Sequence, residues 1–299
     1  MTSPVVSVEH LRKTYGQTVA VADVSMEVQE GEIYGIVGPN GSGKTTTVEC
    51  LQGLRVADAG SISVLGLDPR EDRQHLRPLV GSQLQESALP DRIKVWEAVD
   101  LFASLAPERV NPHALIEQWG LAEKKNAYYA NLSGGQRQRL FVALALVSSP
   151  KIVFLDEMTA GLDPAARREA WQLIRGVREQ GTTVLLVTHF MDEAEYLCDR
   201  IAVFKQGRVI AVDTPSGLVG RASEEVAVKF SAQEPDLSWL REVPGLRDIR
   251  RTGSAVEVVG NGPLLAYTAA ALVAHGIAPA DLRVEQPNLE DAYLKLTGG

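Results

Sequence analysis

The sequence predicts an α/β fold, a mostly parallel sheet covered by helices on both faces, with a small α+β unit after it. Three observations carry this. Strand-like runs alternate with helical ones over about the first 215 residues, and the central strands are unbroken apolar runs of the kind buried on both faces. The pattern then changes after Thr214-Pro215-Ser216-Gly217, a turn-rich boundary.

In chain order, Val5–Glu9, Val24–Val28 and Ile33–Val37 read as strands, Gly43–Leu51 as a helix opened by a glycine loop, and Ser61–Leu65 as a strand. The middle, about residues 86–148, lacks strand patterning and reads as a helical subdomain. Lys151–Leu155, Thr183–Val187 and Ile201–Phe204 are β-branched and aliphatic, with helices over Pro164–Gln180 and Met191–Asp199 between them. The tail reads as strand Glu225–Phe230, helix Leu237–Glu242, strands Leu246–Arg251 and Ala255–Val259, helix Leu264–His275, strand Leu282–Glu285 and helix Leu289–Leu296. That succession suggests a ferredoxin-like unit. The expected domains are therefore 1–217 and 218–299.

The 299 residues carry 30 Lys+Arg against 38 Asp+Glu, a net charge of −8, and are 45% hydrophobic. This is ordinary globular composition. The acidic balance argues against a partner bound through a broad basic face, so no nucleic acid is expected. No stretch reaches the roughly 18 apolar residues that cross a bilayer. Met1-Thr2-Ser3-Pro4 lacks the layout of a secretory leader, and Cys50 and Cys198 are isolated, so a reducing, cytoplasmic compartment is expected.

The chemistry is concentrated in three places. Gly38-Pro39-Asn40-Gly41-Ser42-Gly43-Lys44-Thr45, with Thr46 next, fits G-x-x-x-x-G-K-[ST] between a strand and a helix. The glycines let backbone N–H groups turn onto phosphate oxygens, and the helix adds its N-terminal dipole. Lys44 supplies charge for the β- and γ-phosphates, and the Thr45 hydroxyl is a ligand for Mg2+. Next, Ile152–Leu155 is an apolar strand running into Asp156 and Glu157. At the carboxyl edge of such a sheet Asp156 would reach the hydrated Mg2+, and Glu157 would act as base or positioner for an attacking water. Last, Ser133-Gly134-Gly135-Gln136 before a helical run reads as a second anion cradle. One nucleotide does not need two cradles from one chain, which points to a partner's nucleotide.

With these residues the chain resembles the nucleotide-binding subunits of ATP-binding cassette (ABC) transporters over about residues 5–215. The resemblance implies a P-loop NTPase fold with an antiparallel β subdomain and a helical subdomain. It implies that Tyr15 stacks on adenine, and that Gln85 touches Mg2+ and communicates with a membrane partner. Gln83 rivals Gln85, because Leu84 stands where the family has Pro before the glutamine. Leu132–Gln136 would be the signature sequence, Ala160–Asp163 the D-loop with Asp163 at the nucleotide, and His189 the γ-phosphate sensor. Met158 replaces the usual Pro after the catalytic Glu, which loses a rigid φ but no catalytic group. The implied cofactors are ATP and Mg2+. The implied assembly is a homodimer sandwiching two ATP, in which Lys44, Thr45, Gln85 and Glu157 of one copy face Ser133, Gly134 and Gly135 of the other. A separate integral membrane permease would complete it at the cytoplasmic face. The tail, at Asn288–Leu294, resembles the daunorubicin-resistance type, implying export of a drug-like, antibiotic or lipid cargo and a role in multidrug resistance. A soluble ABC ATPase without a membrane partner is the alternative class.

Overall fold

A computed structural model gives the structure and describes residues 4–83, 88–106, 111–222, 226–234, 236–285 and 287–298. The chain divides into two compact units, Met1–Pro215 and Ser216–Gly299.

The first unit begins with strands β1 (Val6–Tyr15), β2 (Thr18–Val28) and β3 (Ile33–Val37), helix α1 (Lys44–Leu51) and strand β4 (Ala59–Val64). Helix α2 (Arg73–Leu76), strand β5 (Val80–Gln83) and helices α3 (Val95–Ser104), α4 (Pro112–Gln118) and α5 (Gly134–Ala145) follow. Strand β6 (Ile152–Asp156), helix α6 (Pro164–Glu179), strand β7 (Thr183–Thr188), helix α7 (Met191–Leu197) and strands β8 (Arg200–Lys205) and β9 (Arg208–Asp213) close it.

The nine strands lie in the order β4-β1-β2-β9-β8-β3-β7-β6-β5. From β8 to β5 every neighbour is parallel, and every residue of β3, β6 and β7 is buried, as two covered faces require. The other arm is mixed: β1 is antiparallel to β2 and β4, and β8 to β9, while β2 meets β9 in a short parallel pairing at Asp23 and Arg208. There β2 alternates, with Val24, Met26 and Val28 buried and Ser25 and Glu27 exposed, because one face meets water. Val8, Leu11 and Val64 of this arm share a core with Val48 and Leu51 of α1 and with Ile36, Phe154 and Leu185 of the central strands.

Four strands depart most from the sequence reading. β1 runs on to Tyr15 and β2 starts at Thr18, a hairpin whose mixed composition hides its length. β5 and β9 were not expected: Val-Gly-Ser-Gln is too short and polar to read as a strand, and β9 is an antiparallel hairpin return. The middle is helical as far as it is described, and Trp119, Leu121 and Leu140 are fully or almost fully buried within it.

The second unit contains α8 (Pro215–Ala222), β10 (Val226–Ser231), β11 (Leu246–Thr252), β12 (Ala255–Gly260), α9 (Leu264–Ala274), β13 (Arg283–Glu285) and α10 (Leu289–Thr297). Its four strands are antiparallel in the order β11-β12-β10-β13. Val228, Phe230, Val256 and Val258 pack with Leu264 and Leu272 of α9. The α-helix expected over Leu237–Glu242 is instead a 3-10 turn, Ser238–Glu242. Pro244 holds Val243 in an extended conformation, so only one tight turn fits. Among the described residues no helix is long and apolar enough to cross a membrane.

Candidate active site

Strand register assembles the site. Val37 of β3 pairs with Thr188 of β7, and Asp156 of β6 pairs with Val187, so the loops after β3, β6 and β7 leave the same carboxyl edge.

The loop after β3 is shaped by contacts that only glycine permits. A Cβ on Gly38 would stand 2.5 Å from the Phe204 carbonyl oxygen and 2.7 Å from Ser42 Oγ. Gly43, the N-cap of α1, has φ 98°, and a Cβ there would stand 2.5 Å from the Ala20 carbonyl oxygen. From below, the Gly207 N–H donates to the Ser42 carbonyl at 3.0 Å. Gln206-Gly207, both at positive φ, is the two-residue turn joining β8 to β9. Sequence reasoning missed this support, although Gln-Gly between two aliphatic runs was its signal. Pro39, Asn40 and Gly41 are exposed at the rim, while Ser42 is 2% exposed.

Lys44 is 5% exposed, and its Nζ donates to the carbonyls of Gly38 at 2.8 Å and Pro39 at 3.1 Å. Burial lowers its pKa, opposed by the negative charges of Glu157 and Asp156. Thr45 and Thr46 follow it in the first turn of α1, where backbone N–H groups have no intrahelical acceptor.

Asp156 is buried, and its Oδ1 makes no hydrogen bond. Burial first, and then the charge of Glu157, push its pKa up to about 6, against the bond from the Thr45 hydroxyl and the charge of Lys44. An orphaned carboxylate oxygen beside a threonine hydroxyl is hard-oxygen chemistry, and it fits Mg2+, which takes few protein ligands and keeps waters and phosphate oxygens.

Glu157 adopts φ 49°, a left-handed conformation unusual for its type, and its N–H donates to the Val187 carbonyl at 2.9 Å. This bend turns its side chain toward the β7 loop, where Oε1 lies 3.3 Å from His189 Nδ1. The His189 ring lies 4.1 Å from the Phe190 ring, centre to centre. A carboxylate and a partly exposed imidazole beside a phosphate cradle can hold a water in line with a terminal phosphate.

Tyr15 ends β1 and is 42% exposed. Lys13 Nζ and Arg55 Cζ lie 5.5 and 6.0 Å from its ring centre, and Asp58 holds Lys13 at 2.8 Å. Ser133 is the N-cap of α5 in a reciprocal capping box: Gln136 N–H donates to Ser133 Oγ at 3.3 Å, and Ser133 N–H donates to Gln136 Oε1 at 3.0 Å. Asp163 caps α6, accepting from the N–H groups of Ala165 and Ala166 at 2.9 and 3.0 Å. Among the described residues no hydrogen bond joins Ser133–Gln136 to the phosphate loop. Gln85 lies outside the described residues, whereas Gln83 ends β5 at the carboxyl edge, pairs with Leu155 and is buried. Met158 is also buried.

The ABC transporter family model matches residues 21–160. The chain is 35% identical over 305 residues to daunorubicin resistance ATP-binding protein DrrA2 of Streptomyces coeruleorubidus, covering 98% of this chain and 95% of that protein. It is 38% identical over 300 residues to Nod factor export ATP-binding protein I of Burkholderia lata, covering 97% and 95%. Among solved structures, it is similar to the ATP binding subunit of an ABC transporter, with TM-score 0.65 and 26% identity over 73% of this chain and 92% of that one. It is also similar to the ATP-binding cassette MJ0796, solved as a dimer in a post-hydrolysis state with ADP and Pi. That likeness has TM-score 0.64 and 27% identity over 70% of this chain and 98% of that one.

Proposed function

Because this chain belongs to the ABC transporter family as an ATP-binding, ATP-hydrolysing subunit, we propose that two copies sandwich two ATP·Mg2+ and drive export through a separate membrane permease. The observation that carries the sandwich is the split of the site. Lys44, Asp156, Glu157 and His189 share one sheet edge, while Ser133, Gly134 and Gly135 open a different helix with no hydrogen bond to the phosphate loop.

In this reading Tyr15 stacks on adenine, the N–H groups of Gly38–Thr46 hold the phosphates, and Lys44 exchanges its two carbonyl acceptors for phosphate oxygens. Thr45, Asp156 and a glutamine (Gln85, or its rival Gln83 at the end of β5) would hold Mg2+, which would supply positive charge to the phosphates. Glu157 accepts a hydrogen bond from the attacking water and takes its proton as the water oxygen bonds to γ-phosphorus. The bond from γ-phosphorus to the bridging oxygen breaks, leaving ADP and phosphate. His189 senses the γ-phosphate and holds Glu157 in line. The partner's Ser133–Gln136 and Asp163 close over the phosphates, so ATP favours the closed dimer and loss of phosphate reopens it.

Export is supported by relatives named for daunorubicin resistance and Nod factor export, and the cargo class we assign is drug-like, antibiotic or lipid. We assign the spans to a separate permease, with this subunit at the cytoplasmic face of the membrane, as its family membership implies; among the described residues no helix is long and apolar enough to supply a span. Trp96, 38% exposed on α3, together with Ile93 and Leu89, forms its docking groove. Residues 218–299 act as an accessory domain. The test is co-purification from solubilised native membranes of a tagged Glu157→Gln chain held with ATP and Mg2+. A stoichiometric polytopic membrane protein is expected. Ribosomes, nucleic acid or only soluble proteins would overturn transport and leave the ATPase chemistry standing.

A further inference from the structure

Glu193, in the first turn of α7, has no exposed surface. Its Oε1 accepts two hydrogen bonds, from Thr159 Oγ1 at 2.8 Å and from Trp171 Nε1 at 2.9 Å. Its Oε2 is buried and makes none. Burying a carboxyl is unfavourable, and leucine would fill the same volume at less cost if packing were the whole requirement. Asp192 and Glu195 on the same helix are exposed. What this position retains is a double acceptor, fixed between three segments.

Those segments are the ones that carry the reacting groups. Thr159 lies two residues beyond Glu157, Glu193 four beyond His189, and Trp171 projects from α6 between them. The same face of α6, one turn apart each time, holds the rest of the β7 loop and α7. Arg167 Cζ sits 4.2 Å over the Phe190 ring and its Nη1 lies 3.4 Å from Asp192 Oδ2. Trp171 stacks on Tyr196 at 5.0 Å, and Arg175 Nη2 donates to the Tyr196 carbonyl at 3.0 Å.

We propose that Glu193 is a positioning residue for hydrolysis: its Oε1 fastens the loop after Glu157 to the helix after His189 and so sets the Glu157–His189 approach. The proposal rests on the roles given above to Glu157 and His189. It gives the Trp171 indole and the Thr159 hydroxyl one shared task. Losing the acceptor lets the two loops move apart by a fraction of an ångström to an ångström, enough to misplace the water without touching the nucleotide cradle.

The test is steady-state ATPase kinetics and equilibrium ATP binding on the full-length chain. Glu193→Leu is expected to lower kcat about 30- to 100-fold with KM and ATP affinity changed less than about threefold. Glu193→Gln, whose amide oxygen can accept both bonds, is expected to restore most of kcat. Thr159→Val and Trp171→Phe, each losing one bond, should lower kcat about three- to tenfold and add little in the Glu193→Leu background. They decide the matter if Glu193→Leu does not fold. Glu157→Gln and His189→Ala run beside them. If those two lose turnover while every folded variant of the network keeps kcat within twofold, the proposal is overturned and the site reading stands. If those two also keep turnover, the site reading itself fails. A parallel loss of kcat, ATP affinity and thermal stability that Glu193→Gln does not rescue reduces Glu193 to a packing role and overturns the proposal.

Discussion

Glu157 Oε1 and His189 Nδ1 stand 3.3 Å apart across the carboxyl ends of the neighbouring parallel strands β6 and β7. The backbone bond from Glu157 N–H to the Val187 carbonyl turns the carboxylate toward the histidine loop. Replacing Glu157 by Gln keeps the shape and removes the proton acceptor. We expect kcat to fall about 10²- to 10⁴-fold while ATP affinity stays within about threefold. Single-turnover hydrolysis and equilibrium ATP binding measure the two separately, and normal turnover would remove Glu157 from the chemistry.

Asp156 predicts a pH dependence with a definite sign. Its pKa is raised from 3.8 to about 6 in the folded chain, so the folded state holds the proton more tightly than the unfolded state. That contribution to stability is fully present below about pH 4 and is lost as pH rises through about 6. Asp156→Asn, in the absence of nucleotide and with chelator present, should therefore gain on the wild type between pH 4 and 7. The gain should level off at about 3 kcal/mol, or roughly 6 °C in Tm. Thermal melts from pH 4 to 8 check it, and a difference independent of pH would show that Asp156 ionises freely. The same variant should lose Mg2+-dependent turnover.

Two glycines of the phosphate loop separate backbone strain from collision. Gly41 has φ 78° with nothing within 4 Å of a would-be Cβ, whereas Gly43 has φ 98° with the Ala20 carbonyl 2.5 Å away. Gly41→Ala should lose about 1 kcal/mol of stability from the left-handed backbone alone. Gly43→Ala should lose roughly 3 kcal/mol, because α1 must also shift away from β2. Urea denaturation of the two variants gives the difference, and equal losses would mean that the loop relaxes without cost.

How legible this was in the chain depends on where each group sits. The β3 run, Ile33–Val37, ends in the structure where its unbroken apolar composition ends. The phosphate loop and the Asp156-Glu157 pair lie at strand ends, where periodicity stops and a loop must begin. β5 and β9 were not legible, since one is four residues containing a glycine and the other is defined by pairing with β8. The 3-10 turn at Ser238–Glu242 carries an apolar pattern that fits an α-helix, and only the downstream Pro244 argues against one. Glu193 was the least visible. It lies in an acidic run, Asp192-Glu193-Ala194-Glu195, that reads as a solvated helix face. Its burial is created by Thr159 and Trp171, 34 and 22 residues away.

The shared site makes the sharpest prediction for the assembly. Lys44 Nζ holds the Gly38 and Pro39 carbonyls at 2.8 and 3.1 Å. Lys44→Ala removes a charged donor from the phosphate cradle and should weaken ATP binding about 30- to 100-fold. Ser133→Arg leaves that cradle intact and should bind ATP normally, but it fills the space before α5 that a partner's phosphates would enter. Each variant alone then forms dimers in which both sites contain one defective half, so both should be inactive. In the mixed dimer, the cradle of the Ser133→Arg copy meets the intact Ser133 of the Lys44→Ala copy, and one complete site is restored. Mixing the two inactive proteins should therefore recover activity, up to one working site per mixed dimer and never two. If each chain instead built its whole site from its own residues, mixing would recover nothing, so absence of rescue with mixed dimers demonstrably present would overturn the sandwich. The mixed dimer also reports coupling. Recovered turnover close to half that of the wild type means the sites fire independently, and recovered but lower turnover means that closure at one site assists the other.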